Sequence, residues 1–148
     1  MALLRYIVNV EAAVLKEGRY LIVVRGEGES HAPGALALPG GKVEDAGTAT
    51  DVLEDTLQRE LIEEVGIEVV GEMAYVQSSA FVADDGDPVI DIVFLCRYQS
   101  GTPTALDPDE VAAVQWMSAE EIRTTPDMPA WTHHSIEMAE KTRAELRW

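Results

Sequence analysis

Three glutamates between Arg59 and Ile67 have the spacing of a cation site on a helix. A helix turns by about 100° per residue, which places Glu63 and Glu64 about 60° and 40° to either side of Glu60. Like charges this close destabilise a helix unless a positive charge neutralises them. Mg²⁺ prefers oxygen ligands and is often shared with substrate phosphates. The spacing therefore predicts a divalent cation held by Glu60, Glu63 and Glu64.

The predicted helix that carries these acids runs from about Asp51 to Val65 and stops at Gly66, a residue type favoured at helix C-termini. An apolar stripe follows the helix at every fourth position: Leu53, Leu57, Leu61 and Val65. The stripe adjoins the acidic patch on the helical wheel. We therefore expect the helix to be buried along the stripe, with its acids at the edge of the core.

The composition of the 148 residues favours a single globular domain. A net charge of −16 argues against a nucleic-acid-binding surface but allows a phosphorylated small molecule that arrives with metal ions. No segment approaches the roughly 20 apolar residues that span a bilayer, and the N-terminus has no signal-peptide pattern, so a cytoplasmic protein is expected. The single cysteine, Cys96, lies in a strand pattern and is expected to be a buried structural thiol.

Strand patterns outnumber helix patterns, and most of them are arranged as hairpins. This order favours a mixed sheet flanked by helices over a doubly wound parallel sheet. A capping box at Ser118–Glu121 predicts a short helix, and a last helix is expected from His133 or Ser135 to Leu146. The predicted strands are Ile7–Val14, Tyr20–Val24, Ala35–Leu38, two or three within Glu68–Val82 and Val89–Tyr98, and Val111–Met117, and the predicted loops are Gly26–Gly34 and Gly40–Thr50.

The segment from Gly41 to Ile67 resembles the Nudix box, whose usual form is Gly, five residues, Glu, seven residues, and then Arg-Glu-apolar-x-Glu-Glu-x-Gly-apolar. Arg59–Ile67 matches the second half at every position. Leu36–Gly41 resembles the strand and turn that lead into the box, and Val114–Glu121 resembles a late strand and helix of the family. The resemblance implies a single domain over residues 1–148, with a Nudix-type α/β/α sandwich built on a mixed sheet.

The first half of the motif departs from the family pattern. Arg59 lies 18 positions after Gly41, where the pattern has 14, so four residues are inserted near Asp45–Ala49. Eight positions before Arg59 the sequence has Asp51, where the family has Glu. Asp51 and Glu54 also have the spacing of a helix N-cap pair, so Asp51 is either a cap or a metal ligand.

The resemblance implies hydrolysis of a diphosphate linked to another group, often a nucleoside. An acidic site repels a diphosphate, and Mg²⁺ or Mn²⁺ ions bridging Glu60, Glu64 and phosphate oxygens would neutralise both. Glu63 or Glu64 would help to deprotonate the attacking water, although a coupled cluster does not separate base from ligand by sequence alone. Arg59 would orient the glutamates by ion pairing.

Four more residues are candidates for the site. Gly40 and Gly41 would contribute to substrate binding, because glycine lets a substrate approach the backbone closely. The backbone carbonyl of Gly41 would contact the metal. Arg25 lies at the end of a predicted strand. Its side chain either binds a substrate phosphate or is simply exposed to solvent. Glu110, in the sequence Asp-Pro-Asp-Glu of a late loop, is a candidate for an extra metal-binding acid.

Aromatic and histidine side chains are weaker candidates. Trp131, Tyr75 and Phe81 could stack on a nucleobase, although aromatic side chains are more common in a core. His133 and His134 are expected near the start of the last helix and need no chemical role. No serine-histidine-aspartate arrangement can be argued from them.

The leading functional hypothesis is a metal-dependent pyrophosphohydrolase that acts on a free nucleoside triphosphate. The alternative substrates are nucleotide sugars, dinucleotide polyphosphates and isoprenoid diphosphates. A different class, a nucleotide-binding regulator that keeps the fold without the activity, is left open by Asp51 and the insertion. The expected partner is a small molecule of the nucleoside diphosphate type, with a homodimer as an option and without nucleic acid or membrane.

Overall fold

The computed structural model describes residues 3–148. Its strands are β1 (Ile7–Lys16), β2 (Arg19–Arg25), β3 (Leu36–Ala37), β4 (Gly40–Lys42), β5 (Glu68–Val69), β6 (Ala74–Val82), β7 (Pro88–Ser100) and β8 (Val111–Ser118). Its helices are α1 (Val52–Glu60), which continues into a π-helical turn (Leu61–Val65), α2 (Ala119–Thr124) and α3 (Ala130–Leu146). Within the described residues, no helix combines the length and the apolar character that a bilayer crossing requires.

The sheet is mixed and is organised around β1. This strand runs parallel to β7, with Ile7 opposite Val89 and Leu15 opposite Arg97. It is antiparallel to β2 and β4. In turn, β2 pairs with β3 and β8, and β7 pairs with β5 and β6, all antiparallel. The predicted mixed sheet is confirmed.

The helices cover opposite faces of the sheet. On one face, α1 and the π-helical turn contribute Leu57, Leu61 and Val65 to a buried core that also contains Cys96. On the other face, α2 and α3 contribute buried apolar side chains, among them Ile136. Successive side chains of a strand point to opposite faces, so β1 supplies both cores. The result is the α/β/α sandwich that the resemblance implied.

Two predicted helix boundaries are confirmed. Gly66 ends the π-helical turn with a φ of 71°, a left-handed conformation that glycine adopts without strain. Ser118 begins α2 with a complete capping box. The Glu121 N–H donates to the Ser118 hydroxyl at 3.1 Å, and the Ser118 N–H donates to the Glu121 carboxylate at 3.2 Å.

Two predicted boundaries are wrong, and one predicted helix differs in type over its last turn. Gly40–Lys42 was expected to open a loop but forms β4, because it finds a partner in the distant β1 segment. The last helix begins at Ala130, before His133, since Pro129 directly precedes it and proline is tolerated where helix N–H groups have no intrahelical partner. The carboxyl end of the acid-bearing helix is π-helical over Leu61–Val65, a local feature that apolar periodicity does not predict.

Candidate active site

The structure separates the three glutamates of the predicted cation site. Glu60 and Glu64 are each 8% exposed, whereas the side chain of Glu63 is 59% exposed. Glu64 adjoins the apolar stripe that packs into the core, and Glu63 lies on the far side of Glu60. Consequently two carboxylates point toward the interior and one points toward solvent.

Glu110 joins Glu60 and Glu64 in a carboxylate cluster, with one oxygen from each group within 4.8 Å of the others. The loop that carries Glu110 is fixed on two sides by backbone hydrogen bonds. The Leu106 N–H donates to the Glu64 carbonyl at 3.0 Å, and the Gly26 N–H donates to the Glu110 carbonyl at 2.8 Å. Glu110, which the sequence offered as an extra acid, thus occupies the place expected for Glu63.

Burial raises the pKa of both helix glutamates in the carboxylate cluster. For Glu64 the pKa rises to about 10, through burial first and then hydrogen bonding with Glu110 and Glu60. For Glu60 burial also raises the pKa, against the opposing effects of the Glu64 hydrogen bond and the Arg59 charge. The cluster therefore retains a proton at neutral pH, which a bound cation would displace. Three hard oxygen donors this close together fit Mg²⁺ or Mn²⁺.

Gly41 and Arg59 both contact Glu60. A Cβ at Gly41 would overlap the carboxyl group of Glu60, so a larger residue there would displace the Glu60 side chain. The Arg59 guanidinium lies 3.1 Å from Glu60 Oε1 and 3.3 Å from Glu63 Oε2, which is the ion pairing expected of it. Gly40 has a different function, because a Cβ there would overlap the Val10 backbone, and its small size lets β4 pair with β1.

Asp51 lies outside the carboxylate cluster. It is exposed and has a φ of 54°, and its side chain makes no capping hydrogen bond. The capping role predicted for this side chain is therefore wrong. Its backbone carbonyl nevertheless accepts a hydrogen bond from the Asp55 N–H at 2.9 Å. The inserted residues Asp45–Ala49 form an exposed loop before Asp51.

A cavity of about 520 Å³ opens on the face of the sheet that α3 covers, and Arg25 and Glu29 line it. Arg25 is not a free strand-end arginine. Its Nε donates to the His31 carbonyl at 2.9 Å, and its terminal nitrogen lies 3.1 Å from the Glu29 carboxylate. Burial raises the pKa of Glu29. The Arg25 charge lowers this pKa, and the Glu110 charge raises it further. Glu29 thus lies near Glu110, and the cavity adjoins the carboxylate cluster.

Two aromatic rings and the His31 ring line this cavity. Phe81 and Trp131 line it and are 36% and 51% exposed. Tyr75 is 58% exposed, so of the two alternatives for these three aromatic residues the structure excludes a place in the core. The His31 ring centre is 5.0 Å from that of Phe81 and 6.4 Å from that of Trp131. His134 also lines the cavity.

Three polar residues of the cavity, Asn9, Glu11 and Asp91, were not singled out by the sequence analysis. Each interrupts a strand that is otherwise mostly apolar. Asn9 and Glu11 are two residues apart and so share one face of β1. A polar side chain on a largely buried strand is informative, and this signal could have identified them.

Comparisons with known proteins identify the family and the fold. The family model described as NUDIX domain matches residues 5–138, and a comparison with curated proteins found no match. The MutT protein of Methanosarcina mazei Go1 has a similar structure, with 25% sequence identity, a TM-score of 0.76, and coverage of 97% of this chain and 99% of that one. For the MutT NUDIX hydrolase of Burkholderia pseudomallei the identity is 24%, the TM-score 0.75 and the coverage 90% and 98%.

A third similar structure is the NUDIX domain of Shewanella oneidensis NrtR in complex with ADP ribose. It is 16% identical to this chain, with a TM-score of 0.70 and coverage of 96% of this chain and 89% of that one. At this identity the likeness concerns the fold.

Proposed function

The chain belongs to the NUDIX domain family of hydrolases, and from this premise we propose that it hydrolyses a nucleoside triphosphate to a nucleoside monophosphate and pyrophosphate. The observation that carries the proposal is the carboxylate cluster of Glu60, Glu64 and Glu110 beside a cavity large enough for a nucleoside. A cation site next to such a cavity suits a ligand with phosphates at one end and an organic group at the other.

The carboxylates of Glu60, Glu64 and Glu110, together with the Gly41 carbonyl, would hold Mg²⁺ or Mn²⁺. Their support is the spacing of the acids, since one carboxylate oxygen from each lies within 4.8 Å of the others. When bound, the cation neutralises charge on the phosphate oxygens and makes a water easier to deprotonate. Asp51 is not assigned a ligand role, because its exposed side chain lies outside this cluster.

The other residues of the site would position the substrate and move a proton. Arg59 would hold Glu60 in its ligand orientation through the 3.1 Å ion pair. Arg25, already fixed by the His31 carbonyl, would bind a phosphate that enters from the cavity. A water would attack phosphorus as the bond to the leaving pyrophosphate breaks, and its proton would pass to Glu63 or Glu64. Glu63 is the more accessible of these two carboxylates.

A substrate panel tests the proposal. The chain is incubated with nucleoside triphosphates and Mg²⁺, Mn²⁺ or EDTA, and phosphate, pyrophosphate and nucleoside monophosphate are measured separately. We expect cation-dependent release of pyrophosphate, and a loss of at least ~10²-fold in Glu63→Gln or Glu64→Gln, as is typical when an acid–base group is removed. Glu145→Gln changes an exposed acid on α3 and is the matched control. Unchanged rates in both site variants, with the fold intact, would contradict the proposal.

The same panel separates the alternatives. The NrtR domain shows that this fold can bind ADP ribose, and we therefore include ADP ribose, a nucleotide sugar and a dinucleotide polyphosphate. Release of AMP and ribose phosphate from ADP ribose, without pyrophosphate from triphosphates, would move the assignment to that substrate class. Nucleotide binding without any product would instead indicate a non-catalytic regulator.

A further inference from the structure

Thr132 is a buried polar residue in the wall that α3 contributes to the cavity. It is 1% exposed, and its hydroxyl donates to the Leu36 carbonyl of β3 at 2.8 Å. Its neighbours Trp131, His134 and Ser135 line the cavity. A buried hydroxyl is unfavourable without a hydrogen-bond partner. The Thr132 hydroxyl therefore connects this wall to one particular backbone group of the sheet.

The Leu36 carbonyl takes its donor from outside the sheet. Hydrogen-bonded and non-hydrogen-bonded residue pairs alternate along two antiparallel strands. The Ala35 carbonyl accepts from the Arg25 N–H at 2.9 Å, so Leu36, which lies opposite Val24, belongs to a non-hydrogen-bonded pair. Its carbonyl consequently points away from β2, to the side where the Thr132 hydroxyl meets it. Without that hydroxyl, this backbone acceptor would lose its partner beside a packed helix.

The other two hydroxyl side chains of α3 differ in what they contact. Ser135 accepts from the Gln77 side-chain amide of β6 at 3.2 Å, which is a second contact between the sheet and the same end of the helix. The Thr142 hydroxyl donates at 3.2 Å to the carbonyl of Met138, which lies one turn earlier in α3. The Thr142 bond stays within the helix, whereas the Thr132 bond joins the helix to a strand.

The strand that Thr132 contacts continues toward the carboxylate cluster. Gly41 lies five positions after Leu36, and the Glu60 carboxyl occupies the space beside its Cα. Between them the Pro39 carbonyl accepts from the Ala12 N–H of β1 at 2.9 Å, which fixes the segment to the sheet. The segment from Leu36 to Gly41 thus contacts the α3 wall at one end and the carboxylate cluster at the other.

We propose that Thr132 is a positioning residue for substrate binding: through the Leu36 carbonyl it holds the α3 wall of the cavity in place relative to the carboxylate cluster. The inference rests on the proposed function in one respect, namely that the organic part of the substrate lies in the cavity while its phosphates reach the cluster. A wall that must be ordered by the substrate binds it less tightly. The cluster itself is carried by other elements, so the chemical step does not depend on Thr132.

Steady-state kinetics of Thr132→Val tests this inference with whichever compound of the substrate panel the chain hydrolyses. Valine has the branched shape of threonine without the hydroxyl. We expect KM to rise at least ~5-fold and kcat to stay within ~2-fold, which is the pattern for loss of binding that ground and transition states share. Thr132→Ser keeps the hydroxyl and should remain within ~2-fold of the unmodified KM. Thr142→Val is the matched control and should change neither constant, because the bond it removes stays within α3.

Hydrogen exchange gives a readout that does not require turnover. Exchange of the amides of residues 133–137 should be at least ~3-fold faster in Thr132→Val than in Thr142→Val, because the first variant frees the start of α3 from the sheet. We expect Thr132→Val to fold, since Ile136 still packs in the core and the Tyr20 hydroxyl still donates to Glu140 at 2.6 Å. If it does not fold, Thr132→Ala replaces it in both measurements with the same expected results.

The inference is overturned by an unchanged KM in Thr132→Val, by a fall in kcat alone, or by an equal rise of KM in Thr132→Ser or Thr142→Val. If no panel compound is hydrolysed, equal exchange in the two valine variants overturns it. The two proposals fail separately. Turnover of another panel compound without release of pyrophosphate from triphosphates refutes the proposed function alone. Triphosphate turnover with the same KM in Thr132→Val refutes the positioning role alone.

Discussion

Replacing Glu64 by glutamine should stabilise the protein when divalent cations are removed. In the unfolded chain this carboxyl ionises near pH 4.5, whereas in the fold burial and its hydrogen bonds with Glu110 and Glu60 raise its pKa to about 10. Between these values the folded state binds the extra proton, so stability falls as the pH rises, by up to about 1.4 kcal/mol per pH unit. At pH 7, about 2.5 units above the unfolded pKa, the accumulated loss is at most about 3.4 kcal/mol. Glutamine keeps the shape of the neutral acid and removes this loss.

Urea unfolding in EDTA at pH 5, 7 and 9 measures the effect. The unmodified chain should lose stability across this series relative to Glu64→Gln, with a gap of about 1–3 kcal/mol at pH 7 that widens toward pH 9. Glu63→Gln is the matched control, because its exposed carboxylate should change stability by no more than about 1 kcal/mol. The assignment of a buried, protonated carboxyl is refuted if Glu64→Gln is no more stable than the unmodified chain at pH 7 and 9 and if the stability of both proteins has the same dependence on pH.

Adding Mg²⁺ provides a second measurement on the same pair of proteins. A cation that binds the folded state stabilises it by about 2.7 kcal/mol at a hundred times its Kd. The unmodified chain should gain stability in this way, whereas Glu64→Gln, which lacks one anionic ligand, should gain much less at the same concentration. An equal gain in both proteins would place the cation elsewhere.

Three other changes test separate parts of the structure. Gly41→Ala should lower turnover at least ~10²-fold because its Cβ would displace the Glu60 carboxyl, whereas Gly71→Ala, where the added methyl meets open space, should retain full turnover in the same pyrophosphate assay. Burial raises the pKa of the Cys96 thiol to about 12. This thiol should therefore react with Ellman's reagent at pH 8 only after unfolding in urea. Reaction in the folded protein would contradict its burial. Ser118→Ala should lower the free energy of unfolding by about 1 kcal/mol through loss of the α2 cap, and an unchanged urea midpoint would show that the cap adds nothing.

Local sequence patterns were sufficient for features that depend on neighbouring residues. The apolar stripe predicted which side of α1 is buried, since Leu57, Leu61 and Val65 are all inaccessible. Gly66 marked the end of the helical segment, and Ser118 marked the start of α2. Each of these features follows from helix periodicity or from the hydrogen-bonding needs of a helix end, which extend over a few residues only.

The partners of the acidic helix required the fold. Glu110 enters the carboxylate cluster because its loop is hydrogen-bonded to both the π-helical turn and the end of β2. Glu63 satisfied the sequence motif equally well, yet its side chain faces solvent. A spacing rule compares positions along one helix, and it contains no information on which distant loop will approach that helix.

By itself the sequence determined the family, the order of strands and helices apart from β4, and the helix face that carries Glu60 and Glu64. Only the tertiary structure brought Glu110 to that face and placed Asn9, Glu11 and Asp91 in one cavity. It also left Phe81 and Trp131 exposed along the lining of that cavity. For Asn9, Glu11 and Asp91 the physical reason is the parallel pairing of β1 with β7. This contact joins distant segments of the chain, and its register places the three side chains side by side. Helix and strand periodicities are local, whereas the assembly of a binding site depends on the pairing and packing of elements far apart in the chain.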